Sequence, residues 1–121
     1  MANILIVDDS PTETYVTSTM LEKHGFAVIT ANSGEEGVEK SKTEKPDLIL
    51  MDVVMPGMNG FQAARQISSD PETSSIPIII VSTKDQETDK MWGLRQGAKD
   101  YVTKPANEAE LIGKINALLG S

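Results

Sequence analysis

Short apolar runs alternate along the chain with longer segments of mixed apolar and polar residues. The runs are rich in Ile and Val, and they cover residues 3–8, 26–30, 47–52, 76–81 and 100–103. The first, third and fourth runs are nearly continuous, which is typical of parallel strands that are covered on both faces. The pattern therefore predicts five strands in a sheet whose centre is buried.

Signals for the starts and ends of helices lie between the apolar runs. Ser10, Ser33 and Asn107 each precede a segment with helical spacing, and each is followed three residues later by a Glu. This arrangement is the capping pattern of helix N-termini. Gly25 and Gly97 follow such segments at positions typical of helix ends. The pattern therefore predicts five helices that alternate with the five strands.

Strict alternation of strands and helices favours an α/β fold with right-handed crossovers and an open, doubly wound parallel sheet. We expect the flavodoxin-like strand order 2-1-3-4-5, in which ligands bind beside the switch point between the first and third strands. A chain of 121 residues has the size of one domain. Residues 1–121 are therefore expected to form a single domain without an output domain.

Composition narrows the classes of function. The sequence has no cysteine, which excludes disulfides, thiolate zinc sites and cysteine nucleophiles. Its formal net charge of −7 argues against binding to nucleic acid or anionic lipid, because both carry phosphates that repel an acidic surface. No apolar run approaches the roughly 20 residues of a membrane-spanning helix. We therefore expect a cytoplasmic protein whose partners are proteins or cations.

Three carboxylates are predicted to meet at the switch point. Asp8 and Asp9 end the first predicted strand, and Asp52 ends the third. Each alone is often an ordinary turn or cap residue, but two carboxylates ~4 Å apart repel each other by roughly 1 to 4 kcal/mol. A bound cation would offset this repulsion. Oxygen ligands without His or Cys favour a hard ion, and two carboxylates with room for water suit Mg2+.

Asp52 has the position of a reactive group. The segment VVMPGMNG follows it and turns at Pro56 and Gly57, so the carboxylate is expected at the rim of the sheet. Ser82 and Lys104 follow the fourth and fifth strands, where each alone is more often a cap or loop residue. Together these residues supply the nucleophile, metal site, hydroxyl and positive charge that phosphoryl transfer to a carboxylate requires. We therefore predict that Asp52 is a phosphoryl acceptor.

The stretches LIVDDS, LILMDVVMPGMNG, IIIVST and DYVTKP occur in an order and spacing that resemble the receiver domain of two-component response regulators. The resemblance covers the whole chain. It implies that Asp52 is the phosphorylated aspartate. It also implies that Asp8 and Asp9 hold Mg2+ and that Val54 gives its backbone carbonyl to the metal.

The same resemblance implies a switch. Ser82 matches the hydroxyl that hydrogen-bonds the phosphoryl group, and Lys104 matches the lysine that pairs with it. Tyr101 matches the aromatic residue whose rotamer follows the switch, and the Lys104–Pro105 bond is expected to be cis. Thr83 departs from the family pattern, where a small residue is common, and is expected to crowd the path of Tyr101.

Three further stretches, TMLEKHGF, MNGFQAARQ and VSTKDQETDKMWGLRQGAKDY, resemble a narrower group, the stand-alone receivers of chemosensory systems that control twitching motility by type IV pili. This implies a CheA-like or hybrid histidine kinase, or a phosphotransfer domain, as the phosphoryl donor. It implies a downstream protein partner, with the pilus motor machinery as the candidate. Such a protein catalyses only its own phosphorylation and dephosphorylation. A role as phosphate sink for a sister regulator stays open.

Three alternative interpretations compete with a phosphorylated receiver. A haloacid-dehalogenase-like phosphatase needs a second carboxylate two residues after the nucleophile, and that position is Val54. A flavin-binding module would use the hydroxyls of DSPTET, but Asp8 and Asp9 would face the flavin phosphate and no glycine lets the backbone close around it. A receiver-shaped adaptor that works without phosphorylation would not need the complete acidic set.

The segment 85–98 is predicted to be the helix that moves with the switch. Met91, Leu94 and Ala98 share a face at helical spacing and are expected to face the sheet, which turns Trp92 toward the flank of the helix. Gly93 lowers the stability of a helix and would make this segment easier to shift. Trp92 either packs against the domain or belongs to a surface for a protein partner. The residues predicted for that partner surface are Lys90, Trp92, Arg95 and Tyr101.

Overall fold

The computed structural model describes residues 1–120, in which five strands alternate with five helices. The elements are β1 (Asn3–Val7), α1 (Pro11–Lys23), β2 (Ala27–Ala31), α2 (Gly34–Thr43), β3 (Leu48–Met51), α3 (Gly60–Ser69), β4 (Ile78–Ser82), α4 (Glu87–Arg95), β5 (Asp100–Thr103) and α5 (Glu108–Leu119). Within this range no helix is long and apolar enough to span a membrane. The predicted alternation of elements is confirmed.

The five strands form one parallel sheet in the order β2-β1-β3-β4-β5, as predicted. The register aligns the carboxyl ends of neighbouring strands, since Val7 of β1 pairs with both Ala31 of β2 and Met51 of β3. At the other side of the sheet, Ser82 of β4 pairs with Thr103 of β5. The residues that follow β1, β3 and β5 therefore lie together at one edge of the sheet.

Successive residues of the central strands are buried on opposite faces of the sheet, which explains their continuous apolar runs. One face packs against α1 and α5 and includes Ile4, Ile6, Leu48, Leu50, Ile79, Val81 and Val102. The other face packs against α2, α3 and α4 and includes Leu5, Val7, Ile49, Met51, Ile78 and Ile80. The core is thus divided into two layers, and the strand ends between them are free to carry polar groups.

The predicted helix caps are confirmed. The side-chain oxygens of Ser10, Ser33 and Asn107 each accept a hydrogen bond from the backbone amide three residues later. The Gly25 backbone has a φ of 89° just after α1, a left-handed conformation that glycine adopts without strain. The Lys104–Pro105 peptide bond is cis.

The bounds of β1, β2, β3 and β4 each differ from the predicted runs by one or two residues, and those of β4 and β2 have a clear structural cause. β4 starts at Ile78 and not at residue 76, because Pro77 has no amide hydrogen for the sheet, although its carbonyl still accepts a hydrogen bond from the amide of Ile49 at 2.9 Å. Ser82 is the last residue of β4 and does not follow it. β2 starts one residue late, because the amide of Phe26 donates to the carbonyl of Leu21 and closes the end of α1.

The predicted orientation of α4 is wrong. Met91 and Leu94 do not face the sheet, since they are 56% and 50% exposed. Gly93 is buried in their place, and a Cβ atom built on it would lie 2.7 Å from Cδ1 of Ile80. Ala98 is buried as expected but lies beyond the end of α4 at Arg95. The helix has turned its smallest residue to the sheet, which lets the helix backbone approach closely.

Candidate functional site

Backbone hydrogen bonds fix the aspartates at the carboxyl edge of the sheet. The amide of Asp8 donates to the carbonyl of Ala31 at 3.0 Å, and the amide of Asp52 donates to the carbonyl of Val7 at 2.9 Å. The Asp8 carboxylate accepts a hydrogen bond of 2.9 Å from the amide of Ser10. Each carboxylate is therefore anchored by the strand that precedes it and by the neighbouring strand.

The first residue of α3 also shapes the site. A Cβ atom on Gly60 would lie 1.9 Å from the carbonyl oxygen of Asp52, a distance that no side chain tolerates. The amide of Gly60 donates to the carbonyl of Val53 at 2.9 Å, which closes the loop between β3 and α3. Glycine at this position thus lets α3 begin directly against the backbone of the predicted acceptor.

The three predicted carboxylates are close together. Asp8, Asp9 and Asp52 each offer one oxygen, and these three oxygens lie within 4.8 Å of one another. Asp8 is buried and Asp9 is exposed, so the cluster opens to solvent on one side. Opposite ligands of an octahedral Mg2+ lie ~4.2 Å apart at its usual bond lengths. The donor set of carboxylate oxygens and its spacing therefore fit Mg2+.

Lys104 brings positive charge into this cluster. Its Nζ donates a hydrogen bond of 2.9 Å to Oδ2 of Asp8 and lies 3.6 Å from Oδ1 of Asp52. The amide of Lys104 donates to the carbonyl of Ser82 at 2.8 Å, so the two last strands hold it in place. The sequence-based prediction that Lys104 joins the aspartates is confirmed by these distances.

Glu13 is a member of the site that the sequence analysis missed. Its Oε2 lies 3.8 Å from Nζ of Lys104. The sequence pattern assigns it only a capping role with Ser10, but the amide of Ser10 donates to Asp8 and leaves the Glu13 side chain free to turn to Lys104. The position of Glu13 on the first turn of α1, close behind the two aspartates, is the signal that could have indicated it.

Burial and charge act on Asp52 in opposite directions. The pKa of Asp52 is raised to about 6, mainly by burial and further by the charges of Asp8 and Asp9, whereas the charge of Lys104 and a hydrogen bond from the backbone of Val53 oppose the increase. Burial by itself would lower the pKa of Lys104, but the hydrogen bond to Asp8 and the charge of Asp52 outweigh it and hold the pKa above its usual value. At neutral pH the site therefore holds an ionised Asp52 beside a protonated lysine.

The two predicted switch residues meet at the backbone of Lys84. Ser82 is fully buried, and its Oγ accepts a hydrogen bond of 3.2 Å from the amide of Lys84. The Tyr101 hydroxyl donates a hydrogen bond of 2.7 Å to the carbonyl of Lys84. Burial of the Tyr101 ring raises the pKa of its hydroxyl. Lys84 was not identified from the sequence, since its contribution comes from its backbone.

The predicted partner surface needs one correction. Tyr101 is only 7% exposed, so it lies in the core and not on that surface. Thr83 is exposed and does not keep the Tyr101 ring out of the core. Trp92 is 50% exposed and Arg95 is exposed, as the surface requires. Lys90 is half-buried and lies 3.9 Å from a carboxylate oxygen of Glu87 in the same helix.

The role of Val54 stays a prediction. Val54 lies two residues after Asp52 in the loop between β3 and α3, and its side chain is 58% exposed. Val54 supplies no carboxylate two residues after Asp52, where a haloacid-dehalogenase-like phosphatase needs its acid and base, and this disfavours the phosphatase alternative. The exposed apolar side chain has no packing role in the core.

Comparisons with known proteins agree with this geometry. The family model for the response regulator receiver domain matches residues 4–116. Protein PilH of Pseudomonas aeruginosa is 64% identical over 119 residues, which cover 98% of each chain. The crystal structure of the chemotaxis protein CheY4 of Vibrio cholerae is 30% identical with a TM-score of 0.90 and covers 98% of each chain. The receiver domain of a sensor histidine kinase of Pseudomonas aeruginosa is 31% identical with a TM-score of 0.91, and the match covers 99% of this chain and 98% of that one. Its crystal structure has a magnesium ion coordinated in the active site cleft.

Proposed function

Because this chain belongs to the response regulator receiver domain family, we propose that it accepts a phosphoryl group on Asp52 in a Mg2+-dependent reaction. Receiver domains act in two-component signalling with histidine kinases and downstream effectors. We propose that phosphorylation changes the conformation of the protein and that a protein partner reads this change. The protein would act on itself and on no external substrate.

The observation that carries this proposal is the position of Asp52 between acidic and basic groups. Its carboxylate lies 3.6 Å from the Lys104 ammonium, and one oxygen of each of Asp8, Asp9 and Asp52 lies within 4.8 Å of the others. A carboxylate that only capped a turn would need neither neighbour. The arrangement supplies a nucleophile, a site for a divalent cation and a fixed positive charge.

The reaction follows from these roles. A carboxylate oxygen of Asp52 attacks the phosphorus atom, a new oxygen–phosphorus bond forms, and the bond between phosphorus and the donor nitrogen breaks with its electron pair leaving on the donor. Asp8 and Asp9 would hold Mg2+, with the carbonyl of Val54 as a further ligand. When bound, Mg2+ would neutralise charge on the phosphoryl oxygens. Lys104 would pair with a phosphoryl oxygen, and Ser82 would donate its hydroxyl hydrogen to another.

The conformational signal would pass through Lys84. A Ser82 hydroxyl that turns to the phosphoryl group leaves the amide of Lys84, with which it is now bonded at 3.2 Å. The carbonyl of the same residue accepts the Tyr101 hydroxyl, so Ser82 and Tyr101 act on one short segment between β4 and α4. This connection supports a switch in which the segment and α4 adjust together.

The identity of 64% with PilH supports a narrower proposal. We propose that the protein belongs to a chemotaxis-like pathway for twitching motility by type IV pili. The phosphoryl donor would be a CheA-like or hybrid histidine kinase or a phosphotransfer domain, and the output partner would belong to the pilus motor machinery. Phosphotransfer profiling against all histidine kinases and phosphotransfer domains of the source organism tests the donor. A donor from an unrelated pathway that transfers fastest would contradict this proposal.

Labelling with a small phosphoryl donor tests the acceptor. Acetyl phosphate with Mg2+ should add one phosphoryl group, detected by intact mass, and Asp52→Asn should remove the labelling. Asp47→Asn is the matched control, because Asp47 is an exposed carboxylate just before the same strand and at its opposite end. Full labelling of Asp52→Asn would show that the acceptor is another residue, and equal loss in both variants would show that the loss is not specific to Asp52.

A further inference from the structure

A groove lies beside the loop that follows Asp52, between the start of α3 and the middle of α4. It has a volume of about 410 Å³, and the residues that line it include Val54, Phe61, Lys84 and Trp92. A smaller groove of about 200 Å³ on the outer side of α4 shares Trp92 with it and is also lined by Arg95. We call the two together the α3–α4 groove. Because it is lined by residues that directly follow Asp52, a ligand bound there would contact the segment next to the phosphorylation site.

The α3–α4 groove exposes large apolar side chains that no described part of the chain covers. Val54 is 58% exposed, Trp92 is 50% exposed and Met91 is 56% exposed. Exposed apolar side chains that lie side by side at a groove mark interaction sites in soluble proteins. The core does not require these three side chains, so their common position favours a binding surface.

The charge of the groove indicates what kind of partner fits. Among the described residues that line it, the charged ones are Lys84 and Arg95, both positive, although the chain carries a formal net charge of −7. The carboxylates of Glu87 and Asp89 in the first turn of α4 line neither part of the groove. A second copy of this chain also has a formal net charge of −7, so two copies would repel each other over the interface as a whole. A short acidic segment matches the groove itself, because it can pair locally with the two basic side chains.

We propose that the α3–α4 groove docks a short acidic segment of a protein partner. An aliphatic or aromatic side chain of the segment packs among Val54, Phe61 and Trp92, and a carboxylate beside it pairs with Lys84. An apolar anchor in a groove with a charged neighbour at the rim is a common way in which peptide segments gain both affinity and orientation.

Docking at this groove would be coupled to the phosphorylation site, a part of the inference that rests on the proposed function. Lys84 lines the groove, and its backbone forms the hydrogen bonds with Ser82 and Tyr101. A segment that pairs with Lys84 would hold the same backbone that the switch moves. Linkage makes this coupling reciprocal. If phosphorylation of Asp52 changes the affinity for the segment by some factor, the bound segment changes the equilibrium of phosphorylation by the same factor.

A selection from a random peptide display library tests the proposal without a choice of ligand in advance. The protein is presented once without additives and once with beryllofluoride and Mg2+, which stand in for the phosphoryl group. The recovered peptides should be enriched in Asp and Glu next to a Leu, Ile, Phe or Trp. Fluorescein-labelled synthetic copies of them then serve as probes in anisotropy titrations. Recovery of no peptide, or of peptides without an acidic excess, would overturn the proposal.

Charge reversal at Lys84 is the decisive variant. Lys84→Glu and Trp92→Ala should each weaken binding of the recovered peptides by about tenfold or more. Lys99→Glu is the matched control, because Lys99 is an exposed lysine just before β5, at the amino-terminal ends of the strands. It should leave the affinity within about twofold. Equal affinities of Lys84→Glu and Lys99→Glu would overturn the proposal, provided that circular dichroism shows both variants folded.

Two more measurements distinguish a docked segment from self-association and from an effect of Asp52 itself. Sedimentation velocity tests self-association, and a dimer that Trp92→Ala abolishes would assign the groove to a second copy of the chain and overturn the proposal. The same peptides are titrated against Asp52→Asn. Binding that persists there with the Lys84 dependence intact supports the docking site even if labelling at Asp52 has failed. Loss of labelling and loss of docking can thus be told apart.

Discussion

Asp52 is surrounded by charges of both signs, and the balance between them sets its reactivity. Burial and the two neighbouring aspartates raise its pKa, whereas Lys104 lowers it. In the metal-free protein, a pKa of about 6 leaves Asp52 mostly ionised at neutral pH, as a carboxylate nucleophile requires. The folded protein keeps this carboxylate at a cost in stability, because ionising a buried group is unfavourable.

Replacing Asp52 with Asn should therefore stabilise the metal-free protein. The pKa of Asp52 is about 6 in the folded protein against an ordinary value of 3.8, so the folded state binds this proton more tightly than the unfolded state. The destabilisation is fully present above the folded pKa and is absent below the ordinary one. Asp52→Asn should raise the free energy of unfolding by up to about 3 kcal/mol near neutral pH, and the gain should fall below about 1 kcal/mol near pH 4.

Urea unfolding in the presence of EDTA at the two pH values measures this difference. Asp47→Asn is again the matched control, because its carboxylate is exposed and accepts a hydrogen bond from the amide of Asn3. This control should show no gain at neutral pH. A gain of Asp52→Asn that is equal at both pH values would mean that burial of the charge is not its cause.

At the scale of the elements, the site depends on how closely α3 approaches β3. Gly60 is the first residue of α3, and a Cβ atom there would lie 1.9 Å from the carbonyl oxygen of Asp52. Backbone atoms cannot yield as the end of a flexible side chain can. The close approach of the start of α3 to the backbone of Asp52 therefore requires a residue without a side chain at position 60.

Gly60→Ala should disrupt this junction. We expect a loss of about 3 kcal/mol or more in the free energy of unfolding, since the overlap involves backbone, and a strong decrease in labelling of Asp52 by acetyl phosphate. Gly113→Ala in α5 is the control, because a Cβ atom there meets nothing within 4 Å, and it should stabilise the protein by up to about 1 kcal/mol. Urea unfolding of both variants measures the difference. Similar stabilities would show that α3 can move away at little cost.

The elements also show what the sequence could predict. Asp8, Asp52 and Lys104 were found because parallel strands align their carboxyl ends, so the residue after each strand has a known place. The orientation of α4 was predicted wrongly, because its nine residues carry exposed apolar side chains at Met91 and Leu94 and give no clear periodicity. Close packing of Gly93 on the sheet decides the orientation instead. Such tertiary contacts override local pattern and cannot be derived from spacing.

The whole molecule assembles the site from distant parts of the chain. Lys104 and Asp8 are 96 positions apart and form a hydrogen bond of 2.9 Å. The acidic cluster joins residues from the ends of β1 and β3, which are brought together by the sheet. The unfolded chain has no such arrangement, so a cation that needs all three carboxylates binds the folded state alone. Ligand binding of this kind adds directly to the stability of the fold.

Mg2+ should therefore raise the melting temperature of the protein. A concentration of about 100 times the dissociation constant adds roughly 2.7 kcal/mol, which corresponds to a rise of several degrees. The rise should shrink in Asp9→Asn, because Asp9 is a predicted ligand of the metal. Glu39→Gln removes the same charge from an exposed position of α2 and should keep the full rise. Differential scanning fluorimetry over a series of Mg2+ concentrations measures all three proteins. An equal rise in all of them would place the metal away from the cluster of Asp8, Asp9 and Asp52.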